Sequence, residues 1–315
     1  SSASAESFVG GSVADRLLTA IVGGDTLLGQ ELKEVLESRK PAPRVILVSA
    51  SEEGTSFMAE GDEAVVLPPM TRENLEDAKA VFLAGSQASS RRAKALGLSA
   101  KLVDLTGALD SSVPHPAATA IFRFLLAAAQ AGKIDRSMAH VFEPASERGK
   151  RGIEELQQQT IAVLNFQKLK TDVFDTQAAF NMLASYGEEA EEPLESIEQR
   201  LGKHAASLIS AWPGLPMPSI RLIQAPVFHG HSISVWVEFE GNAEADVIAG
   251  KLTEFGLDVR PDEPPSNANI AGQGGLSVGA ITVDHNNPRA CWIWMVTDNL
   301  RLTAENAVAV AKEFL

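Results

Sequence analysis

The sequence predicts an α/β chain in two domains, a parallel sheet crossed by helices followed by an α+β layer. Three observations carry this. At 315 residues the chain exceeds the usual size of one hydrophobic core. Short apolar runs alternate with helical patterns over the first hundred residues, which is the signature of βαβ units. Around Pro114 and Pro116 the character changes, and strand-like runs then follow longer helices.

The elements follow in order. Leu17 to Val22 is an apolar run, and Gly23-Gly24-Asp25-Thr26-Leu27-Leu28-Gly29 leads from it into a helical pattern over Gln30 to Arg39, so the segment reads as strand, tight turn, helix. Pro41 and Pro43 punctuate before a second strand at Arg44 to Ser49. A short helix near Arg72 to Ala78 precedes a third strand at Ala80 to Ala84, and a fourth lies at Lys101 to Leu105. Ala117 to Gln130 is an Ala/Leu-rich helix. Beyond it, strands are expected at Met138 to Phe142, Ile220 to Pro226, Ser232 to Glu240 and Cys291 to Val296. Leu194, Ile197, Leu201, Ala205 and Leu208 keep helical spacing within Glu188 to Ile209. Trp212 to Pro218 and Pro261 to Gly275 read as loops, and Asn299 to Leu315 as a terminal amphipathic helix.

Composition bounds the function. With 27 Lys+Arg against 41 Asp+Glu the net charge is −14, which repels phosphate backbones and anionic lipid, so no nucleic acid and no membrane partner is expected. No apolar stretch approaches the ~20 residues of a membrane span, and the Ser/Ala-rich start through Ser12 lacks a basic region and a hydrophobic core, so a cytoplasmic setting is expected. The single cysteine, Cys291, leaves no internal disulfide framework and no cysteine cluster for zinc.

Several strings, in order from Thr19 onward, resemble the aspartate-semialdehyde dehydrogenases. Thr19-Ala20-Ile21-Val22-Gly23 with Gly29-Gln30-Glu31 resembles the family's opening turn, and Phe82-Leu83-Ala84-Gly85 with Ser89 and Arg91 its later phosphate-side loop. Arg151 to Leu156, Ala179-Phe180-Asn181, Pro226 to Ser232 and Asp298-Asn299-Leu300-Arg301 are further matches. The resemblance implies a Rossmann-like dinucleotide-binding domain over 16–113 and 298–315, with the C-terminal helix returning to it. It also implies an α+β substrate and dimerisation domain over 114–297, and a homodimer; a structural subunit pairing with an active paralogue is a separate reading, favoured by the missing thiol and Gln224.

The departures are as informative. In the family a cysteine at a helix start forms a thioacyl intermediate. Here that place reads His115-Pro116-Ala117-Ala118-Thr119, so Ala118 replaces the nucleophile. Cys291 lies in an apolar run, where a thiol is usually an inert buried hydrophobe. Thr119 is expected to cap the helix rather than act as a nucleophile. His231 matches the family's acid/base histidine and is read either as that or as a structural group. His229 and His231 would share one face of a strand, a weak metal pattern, and no metal is expected.

Among the substrate positions, Gln224 stands where the family has a carboxylate-gripping arginine. Glu143 replaces a glutamine and would repel an anionic substrate, while Glu198 matches a substrate-amine carboxylate but is also explained as one charge on a helix face, with Leu194 at the flanking lysine position. At the cofactor turn Gly23, Gly24 and Gly29 remain and Thr26 takes the middle glycine's place, crowding a pyrophosphate. Ser49 and Ser51, with Gly85, complete the expected cofactor contacts, and Glu52 and Glu53 follow where an NADP ribose phosphate needs positive charge. The reading is weak NAD binding with NADP disfavoured, in a homologue that does not run the family's reaction but acts as a binding or interaction protein. The alternative is an NAD-dependent oxidoreductase of altered chemistry in which His231 is the acid/base.

Overall fold

The computed structural model describes residues 17–51, 56–60, 63–109 and 113–315. In order the elements are β1 (Leu18–Val22), α1 (Leu27–Glu37), β2 (Arg44–Val48), β3 (Ser56–Glu60), β4 (Glu63–Leu67), α2 (Arg72–Leu75), β5 (Ala80–Leu83), α3 (Gln87–Ala95) and β6 (Lys101–Asp104). There follow α4 (Pro116–Ala128), β7 (Ile134–Glu143), α5 (Gly149–Leu164), α6 (Leu194–Ser210), β8 (Ser219–Gln224) and β9 (His231–Phe239). The chain closes with α7 (Ala245–Glu254), β10 (Asp258–Arg260), α8 (Asn267–Ile270), β11 (Ser277–Asp284), β12 (Asn287–Thr297) and α9 (Asn299–Val310).

The chain divides into two compact units. One takes in residues up to Asp25, 32–112 and Ala307–Leu315; the other takes in Thr26–Glu31 and Val113–Asn306. In the first unit β2, β1, β5 and β6 form a four-stranded sheet in that order, and every pairing is parallel. Parallel sheets are covered on both faces, and the two central strands accordingly read as unbroken apolar runs: Ala20 to Val22 and all of β5 are buried. Val48, Leu75 and Ala93 complete that core, while β3 and β4 make a separate antiparallel pair.

The second unit holds a six-stranded mixed sheet in the order β10-β11-β12-β9-β7-β8. Its central pairings, β7 with β9 and β9 with β12, are antiparallel, and β8 adds parallel to β7. Side chains alternate across such a sheet, and α4, α6 and α7 bury one set of them. Ile233, Val235, Val237, Cys291, Ile293 and Met295 join Phe124, Leu125, Leu201 and Leu252 in this core. The opposite set includes Trp236 and Trp292, paired across β9 and β12, and Trp294 opposite Ser234. The tryptophans therefore do not fill this unit's core.

Helix α5 anchors a small satellite core of Leu156, Val173, Phe174 and Leu183. Within it, Glu155 accepts from the Val173 and Phe174 amides, and Gln159 bonds the backbone at Lys170, Thr176, Ala178 and Ala179. Burial raises the Glu155 carboxyl pKa, against the pull of those amides.

Candidate functional site

The site begins at the N-terminus of α4. His115 is its N-cap: the ring Nδ1 accepts the Ala117 amide at 3.2 Å, and Pro116 starts the helix where its missing N–H costs nothing. The expected capping by Thr119 is corrected. Thr119 lies inside α4, and its hydroxyl accepts instead from Asn306 at 2.9 Å. His115's own amide donates to Nδ1 of His204 at 2.9 Å. Ala118, third residue of α4, is fully buried.

Strand β7 ends at Glu143, which is completely buried. One carboxylate oxygen accepts from Arg148 at 2.9 Å, and the other lies 3.8 Å from Nε2 of His115 and 3.8 Å from Nε2 of His231. Burial opposes charge on Arg148, but Glu143, with Tyr186, Glu147 and Glu192, outweighs it and raises the guanidinium pKa. Glu143, expected to repel an anionic substrate, is thus paired with Arg148 within the protein.

His231 begins β9, fully buried, its ring 5.4 Å from that of His115 at 56°. The bend before it is held firmly. Gly230 has φ +80°, its amide donates to Asn299 at 3.0 Å, and Asn267 bonds the carbonyls of His229 and Gly230. Because β9 starts only at His231, His229 stands outside the strand in that bend, and the expected shared face of His229 and His231 does not form. His115 and Glu143 are brought to His231 instead. Burial and the neighbouring His231 push the His115 pKa well down, and Glu143 only partly counters them.

The other substrate positions are taken up within the protein. Gln224 is fully buried, donating to the carbonyls of Glu143 and Ala225 and accepting from the Tyr186 hydroxyl at 2.6 Å. Glu198 on α6 accepts the Leu222 amide of β8 at 2.6 Å and pairs with Arg221. Cys291 is buried on the core face of β12, and burial pushes its thiol up to about 11.

At the expected cofactor positions the glycines answer to protein atoms. Gly23, at φ +85°, leaves room for only 2.6 Å between a Cβ and the Gly85 amide nitrogen, so the ends of β1 and β5 meet backbone to backbone. A Cβ on Gly24 would lie 2.7 Å from the Leu47 Cβ, and one on Gly85 2.5 Å from that of Ala50. The buried Ser49 hydroxyl accepts the Ser51 amide at 3.1 Å, and Ser51 is exposed. The Thr26 hydroxyl accepts the Gly29 amide at 2.9 Å, which starts α1 three residues earlier than the sequence pattern suggests. Glu52 and Glu53 lie outside the described residues.

Fold and site together define a two-unit α/β protein, with a parallel sheet in one unit and, in the other, a mixed sheet that carries the buried His115, Glu143 and His231 cluster. The family described as "Semialdehyde dehydrogenase, dimerisation domain" matches residues 125–302, and the chain belongs to that family. A USG-1 protein homolog of Pseudomonas aeruginosa is 27% identical, covering 94% of this chain and 97% of that protein. The aspartate-semialdehyde dehydrogenase of Prochlorococcus marinus is 25% identical over 96% of this chain and 97% of its own. Among solved structures, a probable aspartate-semialdehyde dehydrogenase from Pseudomonas aeruginosa superposes with TM-score 0.80 at 24% identity, covering 95% of this chain and 98% of that one.

Sequence reasoning missed His115 and Arg148 as members of the site. The one local signal for His115 was its place directly before a proline that opens a helix, which marks a cap but says nothing of Glu143.

Proposed function

We propose that this chain is an aspartate-semialdehyde dehydrogenase-like protein that does not run the phosphorylating reaction through a thioacyl intermediate, and serves as a binding or interaction homologue. One observation carries the reading: the helix start that would present a nucleophile presents the buried methyl group of Ala118, while the chain's one thiol is buried in β12. A methyl group cannot attack a carbonyl, and a thiol held near 11 is protonated at neutral pH. The engaged Gln224 supports it, since no side-chain donor of that residue remains for a substrate carboxylate.

Nicotinamide binding is read as weak. The Thr26 hydroxyl already takes the Gly29 amide, one of the helix-start donors a pyrophosphate would use. The preference for NAD over NADP rests on the sequence alone, in which Glu52 and Glu53 follow the second strand where a ribose phosphate needs positive charge. The family's dimerisation domain supports a homodimer, and a pair with a paralogous subunit is the alternative reading.

The test is a steady-state assay of nicotinamide reduction with aspartate semialdehyde and phosphate, beside a thiol-bearing relative. The expected rate is on the order of 10⁶ lower than the relative's, the scale of losing a covalent nucleophile. A comparable rate overturns the proposal, and its abolition by Cys291→Ser would name the missed nucleophile. A second reading, an oxidoreductase with His231 as acid/base, is favoured by the buried imidazole whose two nitrogens have no hydrogen-bond partner. Hydride transfer to NAD from a screened alcohol, lost in His231→Gln, would select it.

A further inference from the structure

We propose that His115, Glu143 and His231 form a binding site for a divalent first-row transition metal ion. The three groups come from the cap of α4, the end of β7 and the start of β9, and one ligand atom from each lies within 4.8 Å of the others. All three side chains are buried. Nε2 of His115, Oε2 of Glu143 and both nitrogens of His231 have no hydrogen-bond partner. Buried polar atoms are almost always partnered, so one unpartnered atom from each of the three residues, gathered within 4.8 Å, calls for a ligand.

The spacing suits a cation better than a direct contact. At 3.8 Å from each Nε2, the free Glu143 oxygen is too far for a hydrogen bond. A metal–nitrogen or metal–oxygen bond is about 2.0–2.2 Å, so an ion centred among the three atoms reaches each with only small side-chain movements. Two imidazoles and one carboxylate are a donor set used by zinc and by non-haem iron, with one or more positions left open for water or a substrate oxygen.

The surroundings fix the ligands. Arg148 holds the second Glu143 oxygen and so aims the first, and Asn299 and Asn267 pin the bend that aims His231. His231 can take either tautomer, because neither nitrogen is committed. His115 must carry its proton on Nδ1 to ligate through Nε2, so binding exchanges the 3.2 Å cap from Ala117 for the metal bond. Arg148 already balances the Glu143 charge, so the ion's own charge is left to an anionic ligand, hydroxide or a carboxylate, at the open position. This replaces the expectation of no metal, and it stands apart from the proposal about the thioacyl route.

The test uses the full chain stripped with a chelator, shown to be folded by circular dichroism, and titrated with Co²⁺ and then Zn²⁺ without substrate. One equivalent of Co²⁺ should bind with visible ligand-field absorption, Zn²⁺ should displace it, and saturating Zn²⁺ should raise the melting midpoint by several degrees. Glu143→Gln and His231→Gln should each weaken binding by more than roughly tenfold, while His229→Ala leaves it unchanged. If the variants do not fold, X-ray absorption of the zinc-loaded unaltered chain decides, with two imidazoles and no sulfur expected. No metal uptake by the folded chain, uptake indifferent to both variants, sulfur ligation, or an ordered water filling the space with zinc bound elsewhere would each overturn the proposal.

Discussion

Two positions, Ala118 and Cys291, divide between them what a single catalytic cysteine would do: one has the helix start and the other has the sulfur. Ala118→Cys should therefore produce a thiol at the third residue of a 13-residue helix, where the helix end favours the thiolate. Because position 118 is fully buried, we expect iodoacetamide to reach the new thiol as slowly as it reaches Cys291 in the folded protein, read by peptide mass spectrometry, and rapid labelling of the folded variant would count against it. The fully buried site makes the larger side chain cost about 1–3 kcal/mol. Cys291 also sets a pH dependence. Its pKa is raised from 9.0 to about 11, so burial of the neutral thiol stabilises fully below 9 and that contribution is lost as pH rises towards 11. Cys291→Ala should flatten the fall in unfolding free energy between those limits, measured by urea titration; an unchanged slope would refute it.

At the level of elements, the turn after β1 and the start of α1 offer opposed predictions. Gly23→Ala should destabilise by at least ~1–2 kcal/mol, because φ is +85° and the new Cβ meets the Gly85 backbone at 2.6 Å. Chemical denaturation checks it. Thr26→Gly should cost about 0.5–2 kcal/mol as a lost cap yet tighten both NAD and NADP, since the Gly29 amide is released. Calorimetry showing no tightening would mean that the turn is closed for another reason. These elements were legible in the sequence because each parallel strand is an unbroken apolar run. Others were not. The first four residues of β7 mix Ile134 with exposed Asp135 and Arg136, α5 opens on Gly149-Lys150-Arg151-Gly152, and the β3–β4 pair lacks a long apolar run. At the site, the place of His231 was readable from Gly230-His231-Ser232 by resemblance. Its partners were not, because His115 and Glu143 reach it only when α4, β7 and β9 pack together, a proximity no local spacing encodes.

For the whole molecule, the family points to association of two copies, and the sheet face bearing Trp236, Trp292 and Trp294 is where we expect it. Trp292 is 38% exposed although it sits in the middle of β12 beside Trp236, and large aromatic side chains of this kind anchor interfaces. Trp292→Glu should shift the light-scattering mass at micromolar concentration from two chains to one with the circular dichroism unchanged. A monomeric unaltered protein, or a dimer indifferent to the change, would place association elsewhere. The central claim concerns chemistry rather than assembly, and covalent trapping tests it most directly. Incubated with aspartate semialdehyde and a nicotinamide cofactor in the absence of phosphate, a thiol-bearing enzyme accumulates its acyl intermediate, which intact-mass spectrometry detects as an adduct on the chain. This chain should keep its unmodified mass throughout, and an acyl adduct formed in a cofactor-dependent way, on Cys291 or any other residue, would contradict the account.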